Sequence, residues 1–93
     1  MIDHNEFYNH EKIPETTKIA LDLYIRRGVI PGRFLTEVLE NNLKLAYKNA
    51  DDHNLVAIPS IVYYLYNNAP ANCWGSPHFV TEWVKQRGME GLL

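Results

Sequence analysis

The chain has 93 residues, 46% of them hydrophobic, with 9 Lys and Arg against 11 Asp and Glu for a formal net charge of -2. That length suits one small domain with a modest core, for which self-association is a common supplement, so a homo-oligomer is expected. The charge excludes the basic field that a DNA or RNA duplex requires. The single cysteine, Cys73, excludes an internal disulfide and a multi-cysteine zinc site, and no apolar run approaches the roughly 20 residues of a membrane helix.

The opening Met1-Ile2-Asp3-His4-Asn5-Glu6 is polar and acidic, unlike a signal peptide, and with the lone thiol it reads as a cytoplasmic protein. Residues 1–12 are expected to form a flexible arm carrying Phe7 and Tyr8, followed by one helical domain over 13–93. The first helix is predicted over 14–27. Pro14 suits its first turn, Ala20, Leu21, Tyr24 and Ile25 recur at helical spacing beside Ile19 and Leu23, and Gly28 follows Arg26-Arg27 as a C-terminal stop.

Pro31-Gly32 reads as the centre of a type II turn, where glycine takes positive φ. From Arg33 a second helix is predicted over 33–50. Its apolar stripe is Phe34, Leu35, Val38, Leu39, Leu43, Ala46, Tyr47 and Ala50, and Glu37, Glu40, Asn41, Lys44 and Lys48 fall on a polar face. A third helix over 52–68 follows a cap at Asp51 or Asp52, with Leu55, Ile58, Val62, Leu65, Tyr66 and Ala69 as its stripe and a break near Pro59. The run Val62-Tyr63-Tyr64-Leu65-Tyr66 has strand propensity, but the longer helical period and the absence of a partner strand favour helix. Ser76-Pro77 opens a last helix over 77–87, with Phe79, Val80, Trp83 and Val84 inward and Gly88 as its stop. The fold class read from this pattern is all-α, about four helices.

Chemistry-bearing motifs are sparse. His4, His10, His53 and His78 lack metal-site spacing, Asp51-Asp52 reads as a capping pair, and there is no phosphate loop, dinucleotide fingerprint or nucleophile motif. No catalytic residue, metal or cofactor is expected. The two turn-to-helix junctions, Pro31-Gly32-Arg33 and Trp74-Gly75-Ser76-Pro77, are the candidate ligand site, because N–H groups at a helix start attract anions. Arg33 would hold phosphate, Gly32 and Gly75 would allow close backbone approach, and Trp74 and Tyr64 would stack on a flat ring. Ser76 would donate a hydrogen bond, and His78 lies in the first turn beside such an anion. The other reading of the same residues is two ordinary turns with Trp74 packed in the core. Tyr63, Tyr64 and Tyr66 cannot all be buried on one helix face, so an exposed tyrosine there is either an interface residue or a ring lying on the core edge.

The strings Ile13-Pro14-Glu15-Thr16-Thr17, Gly28-Val29-Ile30-Pro31-Gly32-Arg33-Phe34-Leu35 and Val38-Leu39-Glu40-Asn41-Asn42-Leu43, with Tyr66-Asn67, Pro70 and Trp74-Gly75-Ser76, carry a resemblance. From Ile13 to about Trp83 the chain resembles a group of small hypothetical proteins of tailed phages and prophages. The resemblance implies a counter-defence role in the host cytoplasm. One form of that role is non-enzymatic sequestration of a nucleotide-derived immune signal, of the cyclic-nucleotide or ADP-ribose type, in a pocket within or between protomers. The alternative is an interaction module that plugs a host or phage protein through an aromatic surface. A small enzyme or nucleic-acid binder is the third reading.

Overall fold

The computed structural model describes residues 12–92, so all but Lys12 of the N-terminal arm read over 1–12 lies outside the described residues. The described chain is all-helical. Its α-helices are α1 (Glu15–Arg27), α2 (Arg33–Leu39), α3 (Leu43–Asn49), α4 (Asp52–Asn68) and α5 (Pro77–Lys85), with short 3-10 helices at Ala71–Cys73 and Gly88–Leu92.

Local chemistry sets most of the boundaries. Gly28 ends α1 in the left-handed conformation, φ 67°, which costs a glycine nothing. Asp51 caps α4 by accepting from the Asn54 N–H at 2.7 Å, and Ser76 caps α5 by accepting from the Phe79 N–H, with Pro77 in its first turn. Pro14 stands one residue outside α1, as its N-cap.

The helix expected over 33–50 is two helices. Asn41 adopts φ 62°, its N–H donates to the Val38 carbonyl, and the Asn42 N–H donates to the Glu37 carbonyl. These two bonds form the Schellman arrangement that closes a helix, with asparagine in the left-handed position that its short polar side chain tolerates. Asn42 then caps α3 through its side-chain oxygen, which accepts from the Leu45 N–H. The break turns Leu43 and Tyr47 outward, 63% and 49% exposed, so neither joins the core expected of them.

Pro59, expected to break the next helix, sits inside an unbroken α4. Proline removes the bond to the carbonyl four residues back, that of Leu55. Pro59 is exposed and Leu55 is 38% exposed, so water can take the freed carbonyl without loss.

The core gathers Leu21, Tyr24 and Ile25 of α1, Leu35, Val38 and Leu39 of α2, Ala57, Ile61 and Leu65 of α4, and Val80 and Trp83 of α5. Polar bonds fix how the layers meet. The Trp83 indole N–H donates to the Tyr24 carbonyl at 2.9 Å, and the Tyr24 hydroxyl donates to the Cys73 carbonyl at 2.6 Å, joining α5, α1 and the first 3-10 helix. The Thr17 hydroxyl donates to Asn54 Oδ1 and the Tyr64 hydroxyl to Asp22 Oδ1, joining α1 to α4. Phe79, expected inside, is 39% exposed. Glu37, expected on a solvated face, is buried, and both of its carboxylate oxygens accept from Asn49 Nδ2, at 2.7 and 3.1 Å, which clamps α2 to α3.

Candidate functional site

The two turn-to-helix junctions lie at opposite ends of α2. Gly32 and Arg33 stand at its start, while the Gly75 N–H donates to the carbonyl of Leu39, its last residue, at 2.6 Å. Seven helical residues at about 1.5 Å each separate those ends by about 10 Å. Arg33 accordingly lines two charged surface cavities, one with Glu37, Glu40 and Lys48 and one with Gly32, Thr17 and Asn54. Trp74 lines two different cavities, the first with Tyr66, Ala71 and Gly75 and the second with Leu43, Ile58 and Val62.

Several of the expected ligand contacts are engaged in holding the fold. Gly32 has φ -64° and so does not form the type II turn read from Pro31-Gly32, which requires positive φ at the glycine. The Gly75 N–H is occupied by Leu39, whereas Ser76 Oγ accepts from the Phe79 N–H, a bond that uses a lone pair of the hydroxyl and not its donor. Tyr64 lies on the α1 side of α4, with its hydroxyl 2.5 Å from Asp22 Oδ1 and Lys18 Nζ 5.8 Å from its ring centroid. Burial and the Asp22 hydrogen bond both favour the neutral phenol, pushing Tyr64 up to about 12. His78 is exposed beside Phe79, with ring centroids 6.3 Å apart.

The aromatic partner of Trp74 is Tyr66. Their rings meet edge to face, centroids 4.9 Å apart and planes at 85°. Tyr66 is two residues beyond Tyr64, which on a helix is more than half a turn, so the two tyrosines project to opposite sides of α4. Tyr66 is 75% exposed and Trp74 half-buried. The pair forms the common wall of two adjoining grooves of about 280 and 140 Å³. Val38, Leu43, Ala46, Ile58 and Val62 floor the smaller one, and Asn41 contributes to both. Neither groove is lined by Asp, Glu, Lys or Arg.

Comparison with protein-family models, curated proteins and solved structures finds no match to this chain. The site is therefore read from its own geometry.

Tyr66 and Leu43 are the groove residues that sequence reasoning placed in the core. A signal for Tyr66 existed: Leu55, Val62 and Tyr66 form a helical stripe distinct from the Ala57-Ile61-Leu65 face that the core uses, with the buried Ile58 between the two. Cys73, beside Trp74, is fully buried, and burial pushes its thiol up to about 11, which suppresses the reactive thiolate. Among the described residues no group of three or more His, Cys, Asp and Glu is placed to hold a metal ion, and no helix is long and apolar enough to cross a membrane.

Proposed function

We propose that this chain is a non-catalytic protein-interaction module whose working surface is the uncharged groove walled by Tyr66 and Trp74. The observation that carries the reading is that edge-to-face pair, exposed on one side and backed by apolar side chains on the other. Aromatic anchors beside desolvated apolar pockets are the features that dominate protein interfaces. Ligand pockets for small molecules usually begin at about 300 Å³. The adjoining grooves here measure about 280 and 140 Å³, close to that size together, so it is their uncharged lining rather than their volume that favours inserted apolar side chains.

The resemblance to small phage proteins makes a host or phage protein the expected partner class, with the host cytoplasm as the place of action. Capture from host lysate by the wild type should yield one dominant protein. Trp74→Ala and Tyr66→Ala should lose it, and Arg33→Ala should keep it. Retention by both aromatic variants would place the working surface elsewhere.

Sequestration of a nucleotide-type signal is the second reading, and the half-exposed Trp74 indole beside Gly75 favours it as a stacking platform. It is weaker because no cation lines the Trp74 grooves to hold a phosphate, while Arg33 opens on other cavities. A thermal-shift screen with cyclic dinucleotides and ADP-ribose-type ligands separates the two readings. A strong shift abolished by Trp74→Ala, with the ligand recovered intact, would favour sequestration.

A further inference from the structure

We infer that the charged cavity between α2 and α3 binds a small zwitterion of the amino-acid class, its carboxylate on Arg33 and Lys48 and its ammonium on Glu37 and Glu40. The cavity holds about 420 Å³, within the range of small-molecule sites, and shares only Asn42 with the Trp74 grooves. On α2, Arg33, Glu37 and Glu40 follow one another at spacings of four and three residues, so they share one helix face. Arg33 stands at the helix start, and Glu40 lies about 10 Å further along. Lys48 and Asn49 complete the lining from α3.

The first observation is that these charges line one space without pairing across it. Two cations and two carboxylates face the same cavity, yet among the described residues none of the four takes part in an ion pair. Arg33 precedes Glu37 by four residues, the order in which a helical pair is the weaker one. A small molecule carrying both signs of charge satisfies both sets at once. A phosphate would be drawn to Arg33 and repelled by the two carboxylates.

The second observation is the setting of Glu37. It is 6% exposed yet lines the cavity, and its partner is the neutral Asn49 amide rather than the Lys48 ammonium one residue earlier. A buried carboxylate is normally balanced by a cation. The bonds from Asn49 Nδ2 use part of its acceptor capacity and leave lone pairs for a ligand ammonium. Glu40, half-buried, supplies a second carboxylate to the same cavity. Arg33 is exposed, and its planar guanidinium can take a carboxylate through two parallel bonds.

The test is an NMR titration of the isotope-labelled full chain with glycine, β-alanine, γ-aminobutyrate and ε-aminocaproate, which place the two charges at increasing separation. Butylamine and butyrate serve as single-charge probes. Saturable amide shifts are expected on α2 and α3, with a dissociation constant of about 0.1–1 mM at the best length, and each single-charge probe should bind at least about tenfold more weakly. Arg33→Gln should reduce the best amino acid to the affinity of butylamine, and Glu40→Gln should weaken it several-fold. Lys44→Gln, which removes an exposed charge from α3 outside the cavity, should leave affinity unchanged. The inference is overturned by equal affinity for butylamine and the amino acids, by binding that survives Arg33→Gln and Glu40→Gln, or by no saturable shift up to about 50 mM. Each of these results leaves the Tyr66–Trp74 groove to its own test, which reads a captured protein and different variants.

Discussion

Gly28 and Gly88 lie back to back where the end of α1 meets the C-terminal 3-10 helix. A Cβ added to Gly28 would come within 2.8 Å of the Gly88 nitrogen, and one added to Gly88 within 2.6 Å of the Gly28 nitrogen. Both have left-handed backbones, φ 67° and 64°. Alanine at either site therefore meets two costs, roughly 1–2 kcal/mol for the left-handed conformation and the displacement of backbone that cannot rotate away. Gly28→Ala and Gly88→Ala should each lower unfolding free energy by about 3 kcal/mol or more in urea titrations. Because they share one contact, the double variant should cost less than the sum. Gly32→Ala, with ordinary φ and open space around it, should change stability by less than about 1 kcal/mol.

The chain of bonds from Trp83 through Tyr24 to Cys73 makes a second prediction. Tyr24→Phe keeps the ring but leaves the Cys73 carbonyl without its donor in a buried place. The expected loss is about 1–3 kcal/mol, the usual cost of orphaning a buried acceptor, read from the same titrations. A loss well below that range would mean that water replaces the hydroxyl.

Alkaline pH should weaken the fold in a defined window. Tyr64 rises from 10.0 to about 12 and Cys73 from 9.0 to about 11, each because burial disfavours the anion. The folded chain thus holds these protons after the unfolded chain has released them, so stability falls as pH rises. The decline should begin near pH 9 with Cys73 and continue above pH 10 with Tyr64 and with Tyr24, whose hydroxyl is raised further still by burial. Tyr64→Phe should reduce the slope above pH 10 without abolishing it, since Tyr24 still resists ionisation there, and should leave the lower part unchanged. The same burial predicts that a disulfide reagent labels Cys73 slowly at neutral pH and rapidly once denaturant unfolds the chain.

The α2–α3 break is tested by its asparagines. Asn41→Gly relieves a left-handed residue and should stabilise by up to about 1 kcal/mol, whereas Asn41→Ala should destabilise by a similar amount. Asn49→Ala removes the donor to both oxygens of the buried Glu37 and should cost about 1–3 kcal/mol. The companion Glu37→Gln, which leaves no stranded charge, should cost less. Equal costs would mean that Glu37 draws its support from elsewhere.

Features governed by a few neighbouring residues were legible in the sequence. The helical class, the Gly28 stop, the Asp51 cap and the Ser76-Pro77 opening all follow from local backbone chemistry, and each stands where the pattern places it. The Asn41-Asn42 break belongs to the same local chemistry. A continuous apolar period across it hid its signal, since Leu43, Ala46 and Tyr47 keep helical spacing with Leu39.

Tertiary structure alone decided which side of each helix became core. On α4 two apolar stripes compete: Ala57, Ile58, Ser60, Ile61 and Leu65 went inside, while Leu55 and Tyr66 stayed exposed and Val62 half-buried. That choice sent Tyr64 toward Asp22 and Tyr66 toward Trp74, and it left Val62 and Leu43 to form a groove. The separation of Arg33 from Trp74 has the same origin. Both flank helix starts with similar local sequence, but the bond from Gly75 to Leu39 pins Trp74 to the far end of α2. Periodicity records which residues can share a face, whereas the partner that covers the face is fixed by packing between segments distant in the chain.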